Sequence, residues 1–253
     1  MKITYPIHFL QLLFGLFGVW SPCLIFGQIS EEDPSTYAWF DDMIGQTNSG
    51  IFEGVAYTEE FRAINDEHQF FREPYFILGS VVYDGQPYFE VNLRYDVYND
   101  QLSIKNEKSS RLPIMVLDKE KVAEFQIGQH QFKHLSGKEA RGNISGFFEI
   151  LIEKDSLGLF KKHRKKRFKR TDEEVLYYEF KDGYTYYLRR GPDFYVFKKA
   201  NDLNGIFPKY RKEVKALRNR YASLGKSDTD EYMKSILLDL SALISNQSDK
   251  GSL

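Results

Sequence analysis

The chain predicts a mainly β fold of the α+β class. It reads as an antiparallel hairpin meander forming a curved sheet, partial barrel or sandwich, with a C-terminal helical hairpin. Three observations predict this. Tyr and Phe are abundant, 17 and 21 in 253 residues, a composition that favours strands and aromatic packing over disorder. Turn dipeptides separate short runs from Gly50 to Lys198, the spacing of a meander. After Pro208 the apolar period changes to the helical repeat.

Taken in order, Val81-Val82-Tyr83 and Gln86 to Val91 flank Asp84-Gly85. That dipeptide tolerates the positive φ of a type I′ turn, so the three pieces read as a hairpin. Arg94 to Tyr98, Asn99-Asp100 and Gln101 to Ile104 repeat the pattern, as do Tyr177 to Lys181, Asp182-Gly183 and Tyr184 to Leu188. A two-residue turn at Asp182-Gly183 would pair Lys181 with Tyr184, Glu179 with Tyr186 and Tyr178 with Tyr187. Tyr178, Phe180 and Tyr187 would then share one face, and Tyr177, Tyr184 and Tyr186 the other. Both faces need cover, from the C-terminal helices or, over the second set, from a ligand. Ile114 to Leu117, Glu124 to Ile127 and Phe147 to Ile152 are further strand candidates, and Gly191-Pro192 is another tight turn.

Pro208 suits a first helical turn, where its missing N–H costs nothing. Tyr210, Val214, Leu217, Tyr221 and Leu224 then form one stripe, which Gly225 ends. Asp228 with Glu231 resembles a capping box opening a second helix, whose stripe is Tyr232, Ile236, Leu240, Leu243 and Ile244. Two such helices need an apolar partner, most simply the sheet.

The N-terminus carries a different signal. Lys2 is followed by a run from Ile3 to Phe26 without Asp, Glu, Lys or Arg, broken near its end by Pro22 and Gly27. This has the make-up of a cleaved export signal; an uncleaved anchor is the alternative, since about 20 apolar residues span a bilayer. Cleavage after Gly27 would remove Cys23, the only cysteine, so the mature chain would have no disulfide framework and would rest on packing. The expected organisation is a signal peptide (1–27), an arm or linker (28–49), the β domain (50–200), the helical hairpin (201–246) and a frayed tail (247–253). A transmembrane β-barrel is a poor fit, because the strands carry charge on both faces and the chain ends in helices.

Without Lys2, the 35 basic residues become 34 against 36 acidic, a net charge of −2. No global field drives the chain onto nucleic acid, so electrostatic binding must be local. The local candidate is Lys161, Lys162, His163, Arg164, Lys165, Lys166, Arg167, Phe168, Lys169, Arg170. Neither a strand nor a helix gives this run an apolar face between Phe160 and Phe168, so it is not expected in the core. It reads as a solvated hairpin arm, partly neutralised by Asp172, Glu173 and Glu174 and by Glu149 or Glu153. The alternative is a binding patch for a polyanion, built from Lys161, Lys162, Arg164, Lys165, Lys166, Arg167, Lys169 and Arg170.

Catalytic and metal motifs are sparse. His130 and His134 would share a face on a strand but lie too far apart to ligate one ion, whereas on a helix they could share it; no acidic residue or cysteine adjoins them, so no metal and no cofactor is expected. Gly-x-Ser-x-Gly and phosphate-loop patterns are absent, and Ser136-Gly137-Lys138 lacks the upstream glycine.

The segments Gly79 to Phe89 and Tyr95 to Leu102, with Leu203-Asn204-Gly205-Ile206-Phe207-Pro208-Lys209 in the tail, resemble a family of uncharacterised exported proteins of the Bacteroidetes. The resemblance implies a Gram-negative envelope location, periplasmic, outer-membrane-associated or secreted, and carries no catalytic residue. The expected role is a non-catalytic binding or scaffold protein of the envelope, with an anionic envelope component or a protein as partner. A lipid or lipoprotein carrier with an apolar cavity and a hydrolase of unrecognised type are the alternatives.

Overall fold

A computed structural model of the chain describes residues 50–52, 54–63, 66–106, 113–137, 144–154, 157–172 and 175–250, all within one compact unit. The signal peptide and the arm expected before Gly50 lie outside the described residues.

Among the described residues, eleven strands form one antiparallel sheet. They are β1 (Val55–Ala56), β2 (Ile77–Tyr83), β3 (Gln86–Asp96), β4 (Gln101–Lys105), β5 (Met115–Val116) and β6 (Val122–Ile127), then β7 (His130–Leu135), β8 (Gly146–Glu153), β9 (Leu157–Asp172), β10 (Val175–Arg190) and β11 (Asp193–Phe197). Their order is β1-β5-β4-β3-β2-β6-β7-β8-β9-β10-β11. The end strands β1 and β11 do not pair, so the sheet is open rather than a barrel or a sandwich. It bends nonetheless. Tyr95 on β3 and Phe147 on β8 are four strands apart, about 19 Å in a flat sheet, yet their ring centroids lie 5.8 Å apart.

Asp84 and Gly85 have φ of 51° and 78°, as the first hairpin requires. The second differs from expectation. Asp96 pairs with Gln101, so the loop has four residues, 97–100. Asp96 causes this, because its carboxylate accepts from the backbone and side-chain nitrogens of Asn99 at 2.9 and 3.1 Å, a local turn that competes with strand pairing.

The third hairpin is overturned. Asp182 and Gly183 lie inside β10, opposite Lys165 and Arg164, and the strand runs unbroken for 16 residues. The reversal falls instead between Asp172 and Val175, which pair with each other. A glycine tolerates a turn but does not compel one; sixteen consecutive pairs with β9 outweigh the local preference.

Of three apolar clusters, two make up most of the core. One gathers Leu93, Tyr95, Phe125, Phe132 and Phe147 on the concave face. The other lies under four helices, α1 (Leu203–Ile206), α2 (Arg211–Arg220), α3 (Leu224–Ser227) and α4 (Thr229–Lys250). There Val214, Leu217, Met233, Ile236, Leu237 and Leu240 pack on Leu159, Tyr186 and Leu188. Of the first stripe, Val214 and Leu217 are buried with Tyr210 and Tyr221 packed beside them, but the helix ends at Arg220, and Leu224 and Gly225 belong to the next one. The second is broader than read: Ile236 and Leu240 are buried with Tyr232 and Ile244 packed beside them, Met233 and Leu237 join them, and Leu243 is 38% exposed. The N-cap is as expected, with Asp228 Oδ1 accepting from the Glu231 N–H at 2.9 Å.

Candidate functional site

β9, which with β10 is the longest strand among the described residues, carries the basic run. β8 pairs with β9 only as far as Lys161, and β11 pairs with β10 only from Tyr186. From Lys162 to Asp172 and from Val175 to Thr185 the two strands therefore continue as a ribbon. Alternation puts Lys161, His163, Lys165, Arg167 and Lys169 on one face with Tyr178, Phe180, Tyr184 and Tyr186. Lys162, Arg164, Lys166, Phe168 and Arg170 take the other, with Tyr177, Glu179 and Lys181.

Half of the run is neutralised in place. Lys161 Nζ lies 2.6 Å from Asp230 in the first turn of α4, and Lys165 Nζ lies 2.9 Å from its cross-strand neighbour Asp182. Arg170 Nε donates to Glu179 at 2.7 Å. Arg167 sits over the rings of Phe61, Tyr98 and Tyr178 at 4.8, 5.3 and 5.2 Å, and cation–π contact with three rings holds it in place.

Lys162 corrects the expectation that the run stays out of the core. It is 6% exposed. Its Nζ lies 2.8 Å from Asp100 and donates to the Phe147 carbonyl at 3.0 Å. Burial pushes the Asp100 carboxyl up, but Lys162, the Tyr95 hydroxyl and Lys119 outweigh it and hold the pKa below its ordinary value. Burial pushes Lys162 down, against the raising effect of Asp100. The missed signal was Asp100 itself, a turn residue that sequence places far from β9.

His163 joins a second buried cluster. Its Nε2 lies 2.6 Å from Glu149 Oε2, while His130 Nδ1 reaches Glu149 Oε1. Burial would raise the Glu149 pKa, but the two imidazoles reverse this and hold the carboxyl at about 2. As an ionised carboxylate only accepts, both ring nitrogens donate. Phe71 closes the cluster, its ring 5.2 Å from His130 and 4.9 Å from His163. Among the described residues no group of three His, Cys, Asp or Glu is arranged to hold a metal ion. Of the two β8 acids proposed beside the run, Glu149 bonds His163, whereas Glu153 bonds Lys133 at 3.2 Å.

The three tyrosines expected on one surface do not share one, because the turn that would have grouped them does not exist. Tyr186 is fully buried and donates to Asp230 at 2.5 Å. Tyr184 shares its face, is 43% exposed and lies under Lys161. Tyr177 is on the opposite face of the ribbon.

What remains for a ligand is Arg164, Lys166 and Lys169, exposed and without an acidic partner among the described residues. Elsewhere, an open cleft of about 660 Å³ lies along β1 and β5 and is lined by polar and apolar groups alike, including Tyr57, Glu60, Gln69 and Gln101. No helix among the described residues is long and apolar enough to cross a membrane. No family model, curated protein or solved structure matches the chain.

Proposed function

We propose that the chain is an exported, non-catalytic binding protein of the cell envelope, and that the ribbon of β9 and β10 takes an anionic partner. The observation that carries this reading is the selective neutralisation of the basic run. Lys161, Lys162, Lys165 and Arg170 have acidic partners, while Arg164, Lys166 and Lys169 are exposed and have none among the described residues, on a ribbon that extends past β8 and β11. Concentrated like charge raises the free energy of the chain unless a ligand relieves it. With a net charge near −2, the ribbon is the place where an anion meets a positive field. Export is supported by the apolar run from Ile3 to Phe26 and by the resemblance to exported proteins.

The test is retention on immobilised heparin and on lipopolysaccharide. The triple variant Arg164→Gln, Lys166→Gln, Lys169→Gln removes charge without touching Asp100 or the aromatic seat of Arg167. Wild type is retained at about 50 mM salt and released by about 0.5 M, because the screening length of exposed charges falls from about 14 Å to about 4 Å over that range. The variant flows through with an unchanged melting temperature. Wild-type protein that flows through at low salt refutes the reading.

A further inference from the structure

The ribbon has two long edges, and among the described residues only one is covered. On the β10 side, the Tyr178 and Phe180 N–H groups donate to the carbonyls of Arg62 and Glu67, each at 2.9 Å, and Ala63 forms a parallel bridge to Tyr178. In an antiparallel ladder, a residue whose N–H points away from its partner strand faces a residue that also points away. Tyr178 pairs with Lys169 and Phe180 with Arg167. Lys169 and Arg167 therefore turn their N–H and C=O groups outward on the β9 side, and alternation extends this to Lys165 and Thr171. Among the described residues, no backbone hydrogen bond from another segment reaches that side between Lys162 and Asp172. The stretch Lys169–Asp172 is exposed along its whole length.

An open row of backbone donors and acceptors is a template for another strand. The side chains decide which strand. Arg164, Lys166 and Lys169 flank the row, so a second copy of this edge would place basic residues opposite basic residues, which is destabilising. Lysines on an edge suppress self-pairing in this way. The same charges favour a strand with carboxylates at alternate positions. A polysaccharide or lipid phosphate would satisfy the side chains but not the backbone row.

We infer that the outer edge of β9, from Lys165 to Thr171, docks an extended acidic polypeptide segment that adds to the sheet as a further strand. This rests on the ribbon being the anion-binding surface and names the class of its partner.

The experiment uses the exported full chain and an eight-residue fluorescent peptide of alternating Glu and Val, with heparin retention run in parallel. Thr171→Pro removes one outward N–H without changing charge, and proline is tolerated at an edge where the N–H faces solvent. Peptide affinity falls at least about fivefold in this variant, while heparin retention is unchanged. In wild type, bound peptide slows amide exchange at Arg167, Lys169 and Thr171 and leaves Lys166, Phe168 and Arg170, already bonded to β10, unaltered. That alternation needs no variant to fold. Exchange without alternation overturns strand addition, as does peptide binding by Thr171→Pro equal to wild type. Heparin retention without peptide binding overturns it too, and assigns the surface to a polysaccharide or lipid phosphate. Loss of both in wild type refutes the anion-binding reading beneath it.

Discussion

At the scale of single residues, the ribbon is anchored by two carboxylates, buried Glu149 and half-buried Asp100, each shared between basic groups. Glu149 has its pKa held at about 2, below the ordinary 4.5. A depressed carboxylate stabilises the fold fully above its unfolded pKa, and that stability is lost as pH falls through the folded value. The contribution is therefore complete above about pH 5 and disappears toward pH 2. Glu149→Gln is expected to lose about 3 kcal/mol at pH 7 and to flatten the acid limb of the stability profile, measured by urea unfolding from pH 7 to pH 2.5. Equal stability of the two proteins at pH 7 would remove the charge from the account. Asp100 makes the other anchor and depends on Gly146. That glycine has φ of 98°, and a Cβ there would lie 1.8 Å from Asp100 Oδ2. Gly146→Ala is accordingly expected to lower stability by at least about 2 kcal/mol through strain and displacement of Asp100. A melting temperature within a degree of wild type would show that the turn can move aside.

At the scale of elements, the helices and the sheet hold each other through one apolar layer and one polar pin. Leu217 is 3% exposed in that layer. Asp230, in the first turn of α4, receives both the Tyr186 hydroxyl and Lys161, and a carboxylate is favoured at that end of a helix. Leu217→Asp buries a charge with no partner and is expected to cost at least about 3 kcal/mol, read from the midpoint of thermal or urea unfolding. An unchanged midpoint would mean the helices are dispensable to the sheet. These elements were the most legible in the sequence, since a stripe at helical spacing records the direction of burial directly. The error in the second stripe has a simple origin. Met233 and Leu237 are offset by one position from Tyr232 and Ile236, and a helix that is apolar over a broad arc does not reveal which edge of the arc faces inward.

At the scale of the whole molecule, the apolar run before Gly27 is expected to be removed on export, leaving Gln28 as the first residue. N-terminal sequencing of protein recovered from the envelope checks this, and an intact Met1 would refute it. The sequence by itself determined the strand-rich class, the first hairpin and the amphipathic tail. Each rests on contacts between residues close along the chain, whose spacing is visible as a period. The tertiary structure alone decided that Asp182-Gly183 is mid-strand, since that depends on sixteen pairs with a separate segment. It decided likewise that Lys162 is buried and Lys166 is not. Both lie on the same face of β9, and they differ because Asp100 arrives beside Lys162 from a turn 62 residues earlier. A charge is affordable in a core only where an opposite charge meets it, and which charge arrives is settled by how the sheet bends.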